Sequence, residues 1–267
     1  MAKLIDGKKI SKDILEELKI TIEQKKLTPK LAIVLVGEDP ASLTYVNQKQ
    51  KRGEEIGVEV EIHSFSDHVS GQEIEQKIRV LNEDIEVTGI IVQLPLPPTL
   101  NKTELLNLIA RQKDVDGLRE DSLFKPATPL GIMELLKRSQ VEIKGKKVVV
   151  MGQSDLVGLP VADMLKVAGG EVEVVDINTP HPQSITREAD ILVVAIGQPE
   201  FVKKEMVKKG VVVVDVGTNL TEGGLVGDVD PEVFEVAYQI TPVPGGVGPM
   251  TVAMLLKNVV ASALSKP

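Results

Sequence analysis

Short β-branched apolar runs recur along this chain, most of them followed by a stretch of helical spacing, and that rhythm admits few folds. LAIVLVG (31–37) is nearly uniformly apolar, as a strand buried in a parallel sheet is. VEVEIHSF (58–65) alternates with period two and reads as a strand with one wetter face. TGIIVQLPLP (88–97) is a further buried strand, ended by prolines that cannot continue a ladder. Helical patterns fill the gaps over 41–56, which starts after Asp39-Pro40 and stops at Gly57, and over 71–81 and 102–110. The Pro-rich LFKPATPLG (123–131) marks a boundary and a linking helix follows over 131–138. The rhythm then restarts with KVVVMG (147–152), GEVEVVD (170–176), ADILVVAIG (189–197) and GVVVVDVG (210–217). Strands alternating with helices imply parallel sheets with helices on both faces. The expected fold class is α/β, with two α/β domains over 1–138 and 139–247, the second a Rossmann-type doubly wound parallel sheet.

Composition narrows the function classes. The chain has 267 residues, enough for two modest cores. A net charge of -8 spread along the whole chain speaks against nucleic acid, which needs clustered Lys and Arg. With no cysteine there is no disulfide, no thiolate catalysis and no Cys-based zinc site. His63, His68 and His181 show no ligand spacing, so no metal is expected. No apolar run approaches the roughly 20 residues of a membrane span, and MAKLIDGKKI lacks the apolar core of a secretory signal. The expectation is a cytoplasmic protein with no membrane partner.

VVVMGQSDLVGLP (148–160) is a buried strand, a Gly turn and a helix start. Such a turn lets backbone approach a pyrophosphate, and a helix N-terminus offers N–H groups and a positive dipole end. Gly152 and Gly158 are present, but Ser154 stands where the second Gly of G-x-G-x-x-G would be. Ser154 suits either a phosphate oxygen or a helix cap. Asp176 ends the next strand, where an acidic residue can bind ribose hydroxyls and repel a 2′-phosphate, or can simply be a solvated turn aspartate. AIGQP (195–199) and DVGTN (215–219) place small residues at the next two strand ends.

Six motifs in order carry a family resemblance: YVNQKQK (45–51), VQLPLP (92–97), KDVDG (113–117), GQSDLVGLP (152–160), DVGTN (215–219) and TPVPGGVGPMT (241–251). Together they resemble the methylenetetrahydrofolate dehydrogenase/cyclohydrolases. The resemblance implies oxidation of methylenetetrahydrofolate with a nicotinamide cofactor, hydrolysis of the methenyl product, a place in one-carbon metabolism and purine biosynthesis, and an active-site cleft between two domains. It implies that the last helix, within 248–267, packs back on the first domain, and that the protein is a homodimer formed through the cofactor domain. Lys49 is then the catalytic acid/base, one helical turn after Tyr45, which flanks the folate ring. Gln93 contacts that lysine and the folate, and Asp116 binds the pterin amino and ring N–H groups. Leu94, Pro244, Gly245 and Gly246 complete the implied folate contacts. Gly152, Gln153, Ser154, Val157, Gly158, Asp176, Ile177, Gly197 and Thr218 make up the implied cofactor set.

Two departures from the family stand out. LREDSLFKPA (118–127) is shorter than in most members by about nine residues, a scale at which a loop changes its path. Many members carry Arg where Gln153 stands and a C-H-S-like run at 175–177, both serving the NADP phosphate. Gln153 and Asp176 supply no positive charge for it, so the expected cofactor is NAD or NADP with NAD preferred, or at least with weak selectivity for NADP. The shortened loop leaves open a monofunctional dehydrogenase of the same family. A nucleotide-sensing protein without catalysis is the alternative from another class.

Overall fold

The computed structural model describes residues 2–265. In chain order its elements begin with β1 (Lys3–Leu4), α1 (Gly7–Lys25), β2 (Lys30–Val36), α2 (Pro40–Ile56), β3 (Glu59–Phe65), α3 (Gly71–Glu83), β4 (Gly89–Val92), α4 (Lys102–Leu108) and α5 (Ala127–Arg138). They continue with β5 (Lys147–Met151), α6 (Gly158–Val167), β6 (Glu171–Val175), α7 (Pro182–Thr186), β7 (Ile191–Val194), β8 (Val212–Asp215), β9 (Asn219–Thr221), β10 (Gly224–Val226), β11 (Gln239–Ile240) and α8 (Val247–Leu264). The chain divides into two compact units: residues up to Ser11 with Thr128–Thr251, and Lys12–Ala127 with residues from Val252 on.

The unit built on Lys12–Ala127 holds a three-stranded parallel sheet in the order β3-β2-β4. Its core joins Ala32, Val34 and Val36 of β2 to Ile74 and Ile78 of α3 and to Ile90 and Val92 of β4. Asp39 caps α2 by accepting from the Ser42 N–H at 2.8 Å, Pro40 opens the helix, and Gly57 closes it at φ 90°. Ser70 and Glu73 form a reciprocal capping box on α3. The other end of α3 rests on Lys113, whose ammonium donates to the carbonyls of Leu81, Asn82 and Asp84 at 2.7–2.9 Å. A cation there satisfies helix carbonyls that have no partner within the helix.

The other unit holds a six-stranded sheet in the order β1-β11-β8-β7-β5-β6, with every pairing parallel. β5 pairs with β6 on one side and β7 on the other, so the winding reverses at β5. In open α/β sheets that reversal opens a crevice beyond the carboxyl ends of the strands. The doubly wound parallel sheet expected from the apolar runs is what forms.

Five details differ from expectation. The linking helix starts at Ala127, and residues 128–138 belong with the six-stranded unit, as does the chain up to Ser11. Backbone bonds explain the second point: β1 pairs with β11, the Ile5 N–H donates to Ile240 O at 2.8 Å, and the Lys8 N–H donates to Gly245 O at 2.8 Å. β4 ends at Val92 rather than running to 97, because the chain turns away after the Gln93 N–H bonds Val34 O. α8 is long and apolar enough by length and composition to cross a membrane, which the sequence reading did not register. Most of its side chains are buried against protein, as in a core helix. The antiparallel β9–β10 hairpin was also not expected.

Past Val252, the buried polar groups of α8 fasten loops of its own unit. The Asn258 side-chain amide donates to Val115 O at 2.8 Å and Lys125 O at 3.1 Å, so it ties the chain just before the Asp116 turn to the far part of the 118–127 loop. The Ser262 hydroxyl reaches the carbonyls of Thr88 at 2.8 Å and Gln112 at 2.9 Å. We expect Asn258→Ala, which orphans two carbonyls, to lower stability by about 1–3 kcal/mol in urea denaturation. An unchanged midpoint would show that the clamp contributes nothing.

Candidate active site

Around Lys49 the structure gathers the residues assigned to proton transfer. Lys49 lies on the inner face of α2 and is only 6% exposed. Its ammonium donates to the Gln93 side-chain oxygen at 2.8 Å. The other end of the Gln93 amide donates to Leu94 O at 2.6 Å, which fixes the direction in which its oxygen points. Gln93 takes this place because β4 ends one residue earlier. Tyr45 is half-buried one turn before Lys49 on the same helix. Asp116 is half-buried in the turn that ends at Gly117, where φ is 70° and an added Cβ would lie 2.5 Å from the Lys125 carbonyl carbon. Burial lowers the Lys49 pKa, and the Asp116 carboxylate pulls it partly back. Burial raises the Asp116 pKa, opposed by Lys49 and reinforced by Asp114. An amine pushed toward its neutral form, bonded to an amide and coupled to a carboxyl pushed toward protonation, is suited to proton exchange.

Neighbouring residues hold the Asp116 turn. Asp114, 1% exposed, accepts from the N–H groups of Leu118 at 3.4 Å and Arg119 at 3.0 Å. Arg119 donates to the carbonyls of Asn107 and Ile109 and pairs with Asp121. Asn258 and Lys113 support the same segment, and neither was singled out from sequence. A polar residue on the buried face of so apolar a helix was the signal for Asn258.

The cofactor set lies at the carboxyl ends of the six-stranded sheet. Gly152 follows β5 at φ 129°, and an added Cβ would sit 2.2 Å from Ala195 O. Gly158 opens α6, and a Cβ there would lie 2.0 Å from Gly152 O. Both glycines are therefore required by close backbone approach. The Ser154 hydroxyl accepts from the N–H groups of Val157 at 3.2 Å and Gly158 at 3.3 Å, so it caps the helix start. Gln153 is exposed and Val157 half-buried. One Asp176 oxygen accepts from the Asn178 N–H at 2.9 Å and the Thr179 hydroxyl at 3.1 Å, and no hydrogen bond engages its second oxygen among the described residues. Ile177, Gly197 and Thr218 are exposed after β6, β7 and β8. Pro244, Gly245 and Gly246 belong to this unit rather than to the one holding Lys49.

Two buried aspartates tie these strand ends together. Asp215 accepts from the N–H groups of Gly217, Asp228 and Val229 at 2.9–3.0 Å. Asp228 accepts from Ile196 and Gly197 at 2.8 and 2.9 Å and from the Asn219 amide at 2.8 Å.

A switch-point glycine turn on a doubly wound sheet, with a lysine–glutamine–aspartate group in a separate unit, defines a dinucleotide-binding α/β enzyme. Residues 5–116 match the catalytic domain of tetrahydrofolate dehydrogenase/cyclohydrolase, and residues 126–266 match its NAD(P)-binding domain. A bifunctional FolD protein from Halothermothrix orenii is 48% identical over 280 residues, covering 97% of each chain. The crystal structure of the bifunctional FolD of Campylobacter jejuni superposes with a TM-score of 0.95 at 44% identity and 99% coverage of each chain. That of the Trypanosoma brucei enzyme, complexed with NADP cofactor and inhibitor, does so at 0.93 with 38% identity, over 98% of this chain and 97% of that one. The chain belongs to the tetrahydrofolate dehydrogenase/cyclohydrolase family. The 280-residue alignment is longer than this chain of 267, so that relative carries residues this one lacks. Residues 117–125 fall between the two matched regions.

Asp215 supplies a pH signature. Burial raises its pKa from 3.8 to about 6 against three N–H donors. A raised folded pKa means that this group's stabilising contribution is complete below 3.8 and is lost as pH rises through about 6. We expect the stability difference between wild type and Asp215→Asn to change across that window in urea denaturation. A pH-independent difference would contradict the assignment.

Proposed function

We propose that this protein oxidises 5,10-methylenetetrahydrofolate to the 5,10-methenyl cation with NAD(P)+ and hydrolyses the product to 10-formyltetrahydrofolate. The observation that carries the reading is the buried Lys49 held 2.8 Å from Gln93 with Asp116 electrostatically coupled to it. A nicotinamide cofactor fits the six-stranded unit: the glycine cradle would be filled by any Cβ, and Asp176 keeps one carboxylate oxygen for a ribose hydroxyl. When bound, the cofactor supplies the hydride acceptor for the first step. Family membership supports the coarse assignment to NAD(P), and Asp176 with an exposed Gln153 supports NAD as the preferred form.

The remaining chemistry belongs to the chain's own side chains. The two oxygens of Asp116 accept parallel hydrogen bonds from a pterin amine and ring N–H. Tyr45 lies against the ring face, and Leu94 lines the same position. Gln93 orients the Lys49 amine. In hydrolysis, water adds to the methenyl carbon and the bond to N5 breaks. One water proton ends on N5 and the other leaves to solvent. Lys49 Nζ takes the first proton from water and returns it to N5, a task its lowered pKa suits. Pro244, Gly245 and Gly246 are proposed as folate contacts on the resemblance alone. A homodimer formed through the cofactor unit is proposed on the same basis, and a cytoplasmic location is proposed from the sequence expectation.

Lys49→Met should reduce methenyl hydrolysis by about 10²–10⁴-fold, the usual size of a general acid–base contribution. Equal hydrolysis by the variant would remove Lys49 from the mechanism. Methenyl formation followed by absorbance should give a higher kcat/KM with NAD than with NADP. An equal or higher value with NADP would overturn the Asp176 assignment.

A further inference from the structure

We propose that Asp228 is a positioning residue for the nicotinamide cofactor: a buried carboxylate that shapes the ligand-facing strand-end loops from behind. The inference rests on the assignment of the six-stranded unit as the cofactor unit. β7 and β8 are neighbours in register, with Val194 opposite Asp215, so the loops that leave them run side by side. Asp228 is fully buried beneath both loops. Its Oδ2 accepts from Ile196 at 2.8 Å and Gly197 at 2.9 Å, in the loop after β7. Its Oδ1 accepts from Asn219 at 2.8 Å, just past the loop after β8. No ion pair involves Asp228 among the described residues, and the donors its carboxyl meets there are Ile196, Gly197 and Asn219.

The fit is too tight to be incidental. A Cβ on Gly217 would lie 2.4 Å from Asp228 Oδ1, and a Cβ on Gly227 would lie 1.8 Å from Asp215 Oδ2. Glycine at both positions lets backbone close directly on the two carboxylates. The amides of Ile196 and Gly197 are turned inward, and Gly197 takes φ 66°. Gly197 and Thr218 are exposed beyond the strand ends, where a ligand of an open α/β sheet lies. Asp228 touches no ligand in this arrangement. It acts through the loops that do.

The test compares Asp228→Ala and Asp228→Asn with wild type in NADH binding by fluorescence, dehydrogenase kinetics, and hydrolysis of pre-formed methenyltetrahydrofolate. The last uses no cofactor and reports whether the chain is folded. Asp228→Ala orphans the Ile196 and Gly197 amides, and should weaken NADH binding and raise the cofactor KM by about tenfold or more, with kcat less affected. Asp228→Asn keeps an oxygen for those amides and should recover most of that loss. A cofactor KM within twofold of wild type in Asp228→Ala overturns the proposal and leaves the dehydrogenase reading standing. So does a loss that the Asn variant does not recover while hydrolysis falls in step. A wild-type protein that binds neither NADH nor NADPH overturns both. If the Ala variant does not fold, Asn219→Ala carries the test: it should weaken NADH binding by roughly threefold, and unchanged binding overturns the proposal.

Discussion

A buried lysine ammonium that, among the described residues, meets one side-chain acceptor is the constraint around which the catalytic unit is organised. Moving a charge out of water is costly unless hydrogen bonds replace the lost solvent, and otherwise the group tends toward its neutral form. Among the described residues the Lys49 ammonium donates to Gln93 Oε1, and it is coupled to the Asp116 carboxyl, whose own ionisation is disfavoured. Holding that balance requires Gln93 to stay at the end of β4 and Lys49 to stay on the inner face of α2. The Gln93 N–H on Val34 O fixes the first, and the Asp39 cap and Gly57 stop fix the frame of the second. Asp116 in turn depends on Lys113, Asp114 and Asn258, which hold the segment that carries it.

The cofactor unit solves its problem with carboxylates and glycines rather than with a buried cation. Five backbone N–H groups near the ends of β7 and β8 turn inward to Asp215 and Asp228. Gly152 and Gly158 let the first turn pass close to its neighbours. Ser154 occupies the first free amides of α6, so the helix start is capped before any ligand arrives. What this surface presents at its strand ends is a close glycine turn and an Asp176 carboxylate with one oxygen engaged by Asn178 and Thr179.

Sequence carried the repeating strand–helix rhythm because continuous β-branched runs such as 148–150 and 211–214 have few other places to go than a buried parallel sheet. It carried the individual members of the catalytic group through the motif resemblance, since a lone lysine on a helix reads as solvated. It did not carry β1 and β11, which are two residues each and too short to show a period. α1 was passed over although Ile14, Leu18 and Ile22 recur every four residues and are buried. The domain boundary moved because membership is decided by long-range pairing of β1 with β11, and no local pattern encodes that partner. Asp228 stayed hidden for a related reason: a lone aspartate after a glycine has the look of a turn until the amides it holds are seen.

The most direct test of the account is an NMR titration of the Lys49 side chain in the intact protein, with Lys49→Met identifying the signal. The account predicts a pKa below the ordinary lysine value of 10.5, because burial outweighs the attraction of Asp116. It also predicts that Gln93→Leu, which removes the acceptor of the charged form, lowers the value further. A Lys49 that titrates at or above 10.5 would contradict the account, since such an amine stays charged throughout the working range and cannot take a proton from water.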